Sequence, residues 1–310
     1  MVTFAPMRRR PIVALREPVL GTTLTISLQG VRSRRARAIE AAVVTEIERL
    51  EQCFSAYRTD SELRRWGRGE IAEPSTDLGR LLTLGTVWQA RTGGVFNPAV
   101  QPITDRWRLA CAEGVMPTDL DLSILAQSIR APRYDETTQH GDCSMLTFNA
   151  LAKGLVIDRA AERAVTMLRR GSVTIEIGGD LVHRGDRPTR VAVENPLRPF
   201  DNEPPLCIVE IDNQAMATSG SARRGVKVGD RWFSHVIDPR TGWPVDHVAS
   251  ASVIAPDATT ADAAATMLSV VTPAAGIAWA NRQPEPIACL IISTTGEQFA
   301  NGYWQHQLVG

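Results

Sequence analysis

The stretch Val173-Thr174-Ile175-Glu176-Ile177-Gly178-Gly179-Asp180 decides the fold class. Apolar β-branched residues alternate with polar ones, the period of a strand buried on one face, and the Gly-Gly-Asp that ends it is turn chemistry. The segment before it is helical: Thr147-Phe148-Asn149-Ala150-Leu151-Ala152-Lys153-Gly154 opens a helix running through about Leu168, which Gly171 stops. Further strands are expected at 190–194, 206–212 and 249–255, several of them neighbours in sequence with no helix between. A parallel sheet needs a long crossover, usually a helix, between successive strands. The pattern therefore predicts an α+β fold, with mixed or antiparallel sheets and flanking helices.

Upstream, residues 12–29 carry β signals, with Leu24, Ile26 and Leu28 alternating against Thr23, Thr25 and Ser27. From about Ser33, Ala36, Ile39, Val43, Ile47, Leu50 and Phe54 form one helical stripe. A second helix is expected from Thr76 to Gln89, capped by Ser75 or Thr76 and stopped at Thr92-Gly93-Gly94. Between Pro98 and Cys143 the pattern is weak, with a short helix around Leu120 to Ile129. Downstream, Leu197 to Pro205 reads as an exposed connection. An alanine-rich helix around Asp262, another after Pro273, and strands at Ile287 to Ser293 and Gln298 to Gln307 close the chain. Residues 1–310 are read as one large domain or two closely packed subdomains, with 1–10 as a flexible N-terminus.

Charge excludes several classes of partner. With 34 basic and 34 acidic side chains the formal net charge is zero, so the chain as a whole has no footprint for nucleic acid or an anionic membrane. Arg8-Arg9-Arg10 and the cluster from Arg32 to Arg37 read as solvated faces. Five cysteines without a Cys-x-x-Cys pair argue against a disulfide framework or a zinc site, and Cys53, Cys207 and Cys289 fall in apolar patterns as small core residues. No run reaches the roughly 18–20 apolar residues of a membrane span. Pro11 to Glu17 is too short and too soon charged for a signal-peptide core, so the expectation is a cytoplasmic chain as given, exported if a leader was removed. The common dinucleotide and P-loop glycine signatures are absent.

Two segments carry chemistry. In Thr259-Thr260-Ala261-Asp262-Ala263-Ala264-Ala265-Thr266, a carboxylate and a hydroxyl stand four residues apart on one helix face, hard oxygens suited to Mg²⁺. That helix is also expected to aim its N-terminal N–H groups at phosphates. Ser234-His235-Val236-Ile237-Asp238-Pro239-Arg240-Thr241-Gly242-Trp243-Pro244 sets a histidine, an aspartate and an arginine among turn residues. Each residue also has a plain structural reading: Asp262 as a helix-start residue, Thr266 as a half-buried helix residue, His235 as a hydrogen-bonded structural histidine, Asp238 as a turn-former, and Lys153-Gly154 as a turn before a helix. His140, His183, His247 and His306 lack metal-ligand spacing and read as structural or exposed.

Taken in order, Leu20-Gly21-Thr22, Phe54-Ser55-Ala56-Tyr57 with Asp60-Ser61-Glu62-Leu63, Gly93-Gly94-Val95-Phe96-Asn97-Pro98, Ala152-Lys153-Gly154 with Asp158, Gly178-Gly179-Asp180, Ala217-Thr218-Ser219-Gly220, His235 to Pro244, and Asp262 with Thr266 resemble the FAD:protein FMN transferases of the ApbE type. The resemblance runs from about residue 18 to the C-terminus. It implies a transferase that takes FAD as donor, uses Mg²⁺, and moves FMN to a Thr or Ser hydroxyl of an acceptor flavoprotein with release of AMP. It implies Mg²⁺ ligation by Asp262, Thr266 and the main-chain carbonyl of Ala150. FAD would lie near Leu20, Tyr57, Val95, Phe96, Asn97, Thr147, Lys153, Ser219, His235 and Ile237, with Tyr57 and Phe96 packing on the flavin ring. His235 is the candidate base and Asp238 its candidate orienting partner. Leu20 stands where methionine is common in the family, Asn97 and Thr147 where aspartate is, and Asn149-Ala150 where a glycine pair or similar small residues are. Two other readings share the site: an FAD pyrophosphatase giving FMN and AMP, and a non-catalytic FAD-binding protein.

Overall fold

The computed structural model describes residues 10–129, 146–200, 202–220 and 225–309. The expected flexible N-terminus up to residue 9, with Arg8 and Arg9, and also His140 and Cys143, lie outside them. In chain order the elements are β1 (Ile12–Val19), β2 (Thr22–Gln29), α1 (Ser33–Phe54), α2 (Glu62–Gly67), α3 (Thr76–Arg91), α4 (Gln101–Glu113), α5 (Asp119–Ser128) and α6 (Asn149–Met167). Then come β3 (Ser172–Ile177), β4 (Asp180–Gly185), β5 (Thr189–Val193), β6 (Cys207–Ile211), β7 (Ala215–Gly220), β8 (Gly225–Val228) and β9 (Arg231–Ser234). The chain closes with β10 (Val248–Ala255), α7 (Ala258–Leu268), α8 (Pro273–Ala280), β11 (Ala288–Ser293), β12 (Gln298–Ala300) and α9 (Gly302–Gln305).

Among the described residues the main sheet has eight strands in the order β1-β2-β3-β4-β7-β10-β11-β12. Every neighbouring pair is antiparallel, as the α+β reading requires. One face is covered by helices. Ala36, Ile39, Val43, Ile47, Leu50 and Phe54 of α1, the stripe read from sequence, are all buried there with α3, α6 and α7. Each large aliphatic side chain removed from water in this layer contributes about 1.5–3 kcal/mol. The opposite face of β4, β7, β10 and β11 is covered by the β5–β6 ribbon and Trp304 of α9. That double cover explains why all eight residues of β10 are buried.

A third cluster joins α4 and α5 to the β8–β9 hairpin through Ile103, Trp107, Leu122 and Phe233. The end of the chain departs from expectation. Only Gln298–Ala300 is strand, because the Asn301 side chain accepts the N–H of Trp304 and starts a short helix instead. No helix among the described residues is long and apolar enough to cross a membrane.

Candidate active site

The site is built where α6 crosses α7. Gly154 makes the crossing possible: a Cβ there would stand 2.4 Å from the carbonyl oxygen of Ala258 and 2.7 Å from the Cα of Thr259. One turn further along α6, the carboxylate of Asp158 accepts the N–H groups of Ala258 and Thr259, both at 2.8 Å, and the Thr259 hydroxyl at 2.6 Å. Asp257 accepts the N–H of Thr260 at 2.7 Å with its side chain and that of Ala261 with its carbonyl. These bonds overturn the expectation that the start of α7 addresses phosphates, because its first-turn donors are already taken by two aspartates. What α7 offers the site is its inner face.

Asp262 lies on that face, 6% exposed, with Thr266 one turn on and half-buried. Burial pushes the Asp262 carboxyl up to about 7; nearby Lys153 opposes the shift, and the charges of Asp180 and Asp158 add to it. Its Oδ2 is buried and has no hydrogen-bond partner. An orphaned buried carboxylate oxygen is costly unless something cationic completes it.

Lys153, on α6, forms an ion pair with Asp180 at the start of β4, whose side chain is 1% exposed. The other oxygen of Asp180 accepts the N–H of Thr218 on β7 at 3.2 Å. Asp180 thus ties a helix to two central strands. Ser219, next along β7, pairs with Ala251 of β10, and its carbonyl accepts the Ser269 hydroxyl at 3.4 Å.

Of the residues expected around the flavin, Tyr57, Asn97 and Thr147 lie near the N-terminal end of α6. The Asn149 amide donates to the Tyr57 hydroxyl at 2.8 Å, and the Tyr57 ring is 71% exposed. The N–H of Thr147 donates to the Pro98 carbonyl at 2.8 Å, and Asn97 Oδ1 accepts the N–H of Ala99 at 2.9 Å. Asn97 and Thr147, the two positions lacking a carboxylate, therefore neighbour each other across Pro98, and the Thr147 hydroxyl is buried without a partner. Val95 and Phe96 belong to the main core, with Phe96 tilted against Trp88 at 6.4 Å between ring centres. Leu20 sits with positive φ in the β1–β2 turn, and the N–H of Gly178, in the β3–β4 turn, donates to the Thr23 carbonyl near the start of β2.

The His235 loop is pinned from behind. Ile237 bridges to Pro244, and Trp107 donates its indole N–H to the Gly242 carbonyl at 2.9 Å. Gly242 has φ +78° and lies against Leu122, where a side chain would be both strained and crowded. Trp243 packs edge-on to Trp107 and donates to Asp119 at 3.1 Å. Asp238 is occupied within the loop: its carboxylate accepts the backbone N–H, Nε and Nη2 of Arg240 at 2.8–2.9 Å. His235 itself is exposed.

Among the described residues no group of three His, Cys, Asp or Glu side chains forms a metal cage. The orphaned Asp262 oxygen, with a hydroxyl one helical turn away, fits a hard cation that takes few carboxylates and completes its shell from carbonyl, phosphate and water. In the sequence Asp180 and Asp158 both stand in motifs without an assigned role, and the reach of Asp158 to α7 is visible only in the structure. The acidic residue closing Gly178-Gly179-Asp180 was the only available signal for the first. The place of Asp158 with Ala152-Lys153-Gly154 is the corresponding signal for the second, but it does not say that the carboxylate reaches α7.

The same scaffold occurs in an ApbE protein from Thermotoga maritima (TM-score 0.85, 21% identity, covering 97% of this chain and all of that one). It also occurs in the flavin transferase ApbE from Vibrio cholerae (TM-score 0.79, 24% identity, 96% and 99% covered). The profile of the ApbE family matches residues 20–291, and the chain belongs to that family. Among its relatives, the FAD:protein FMN transferase of Escherichia coli K12 is 27% identical, with 93% of this chain and 86% of the relative aligned. That of Vibrio cholerae is also 27% identical, over 92% and 89%.

Proposed function

We propose that this member of the ApbE family transfers FMN from FAD to a Thr or Ser hydroxyl of an acceptor flavoprotein, with Mg²⁺ and with release of AMP. The observation that carries the reading is the buried Asp262 oxygen without a partner, beside Lys153 and one turn from Thr266. Asp262, Thr266 and the carbonyl of Ala150 would hold the ion. Bound there, Mg²⁺ supplies charge neutralisation to the pyrophosphate oxygens of FAD.

The chain's own groups account for the remainder. Lys153 presents an ammonium to the phosphates from a helix fixed by Asp158 and Gly154. Tyr57 offers an exposed ring for the flavin, steadied by Asn149. His235, exposed at the mouth of a pinned loop, takes the proton of the attacking hydroxyl. Asp238 holds the shape of that loop through Arg240. The hydroxyl oxygen bonds to the FMN phosphorus, the P–O bond to AMP breaks, and the proton passes to His235.

The test is to incubate the protein with FAD and Mg²⁺, with and without an acceptor protein, and to quantify AMP, free FMN and acceptor mass. AMP with an FMN-sized gain on the acceptor supports the transferase. AMP and free FMN without acceptor would make the chain a pyrophosphatase, and intact bound FAD a binding protein.

A further inference from the structure

We infer that Asp180 is a positioning residue whose task is to hold the Lys153 ammonium away from Asp262, so that the buried Asp262 oxygen stays open to a divalent cation. The inference rests on the reading of Asp262 as a Mg²⁺ ligand. Three observations lead to it. Lys153 is close enough to Asp262 to favour its charged form, yet its ion pair is with Asp180. Asp180 is almost fully buried and fixed by the Thr218 N–H, so its oxygen stands at a set place in the sheet rather than on a mobile loop. Asp262 Oδ2, meanwhile, has no hydrogen-bond partner.

A buried carboxylate beside a flexible ammonium would ordinarily capture it. The charges explain why a second carboxylate is needed. Asp262 and Lys153 alone would form a closed, neutral pair with nothing left to attract Mg²⁺. With Asp180 present, the ammonium is held by a second carboxylate, and Asp262 Oδ2 is left without a hydrogen-bond partner.

The experiment is a calorimetric Mg²⁺ titration of the full chain, without FAD, for wild type, D180N, K153M and the double variant. If Asp180 works by holding Lys153, D180N weakens Mg²⁺ binding by at least about tenfold when Lys153 is present, since the released ammonium competes for Asp262. In the K153M background the same change matters by no more than about twofold, the limit for uncoupled sites. K153M alone binds Mg²⁺ as tightly as wild type or more tightly, which keeps the inference testable even if D180N does not fold. Equal weakening by D180N in both backgrounds, no weakening at all, or weaker binding by K153M would overturn it. Failure of wild type to bind Mg²⁺ would instead remove the metal reading beneath it.

Discussion

Replacing Gly154 by alanine adds a single methyl group at the α6–α7 crossing, and the structure fixes what that methyl meets. The nearest atoms are the Ala258 carbonyl oxygen at 2.4 Å, its carbon at 2.7 Å and the Thr259 Cα at 2.7 Å. All three are backbone, so no side chain can swing aside. Ordinary contact begins near 3.4 Å, which requires the helices to part by about 1 Å in a close-packed interior. Overpacking of this kind costs about 1–3 kcal/mol, and the better helix propensity of alanine returns about 0.5–1 kcal/mol. The net loss of about 1–2 kcal/mol corresponds to a Tm drop of about 2–3 °C in a chain of this length. The functional loss should be larger, because Lys153 and Asp262 lie on either side of the crossing and a 1 Å displacement can cost up to about 10²-fold in rate. Thermal unfolding and FAD turnover measured on one preparation check both numbers. A variant with wild-type turnover and a Tm within about 1 °C of wild type would refute the claim that this crossing sets the site.

Three further outcomes are expected. Asp158→Ala strips the acceptor from two backbone N–H groups and the Thr259 hydroxyl, and should destabilise by about 1–3 kcal/mol in thermal or denaturant unfolding, with Asp158→Asn between it and wild type. His235→Ala should lower kcat by about 10²–10⁴-fold while FAD affinity changes little; an unchanged rate would leave His235 a structural residue. His183 is buried between the Thr174 hydroxyl and the Arg187 carbonyl, and burial lowers its pKa below the usual 6.5. The unfolded chain then binds the proton more readily, so this contribution to stability is complete above about pH 6.5 and is lost as pH falls below it. His183→Gln should flatten the decline of Tm between about pH 7 and pH 5; an identical slope in the two proteins would show that His183 does not titrate with unfolding.

The parts of the fold legible in sequence are those whose burial is one-sided and long. The α1 stripe persists along the whole of that 22-residue helix, and β2 and β3 alternate cleanly because only one face is covered by helices. Strands β4 and β7 are hard to read because they are central and built from small or polar residues, Asp180 to Gly185 and Ala215 to Gly220, with no β-branched run to mark them. Helix α4 is equally hidden, since it buries only Ile103, Trp107 and Ala110 against a satellite cluster, too thin a stripe to set a period. In the site, the i,i+4 spacing of Asp262 and Thr266 is readable from the helix pattern alone. The contacts that give the pair its character are not: Asp158 acts a hundred residues away on the start of α7, and Lys153 meets Asp180 only after the sheet has formed.

The measurement that bears most directly on the account is intact-mass analysis of an acceptor protein after incubation with FAD, comparing wild type with Asp262→Ala, each in Mg²⁺ and after chelation. The account predicts an FMN-sized mass gain with stoichiometric AMP for wild type in Mg²⁺ only, and neither product from a folded Asp262→Ala protein. Acceptor modification by Asp262→Ala, or by chelated wild type, at the wild-type rate would contradict it.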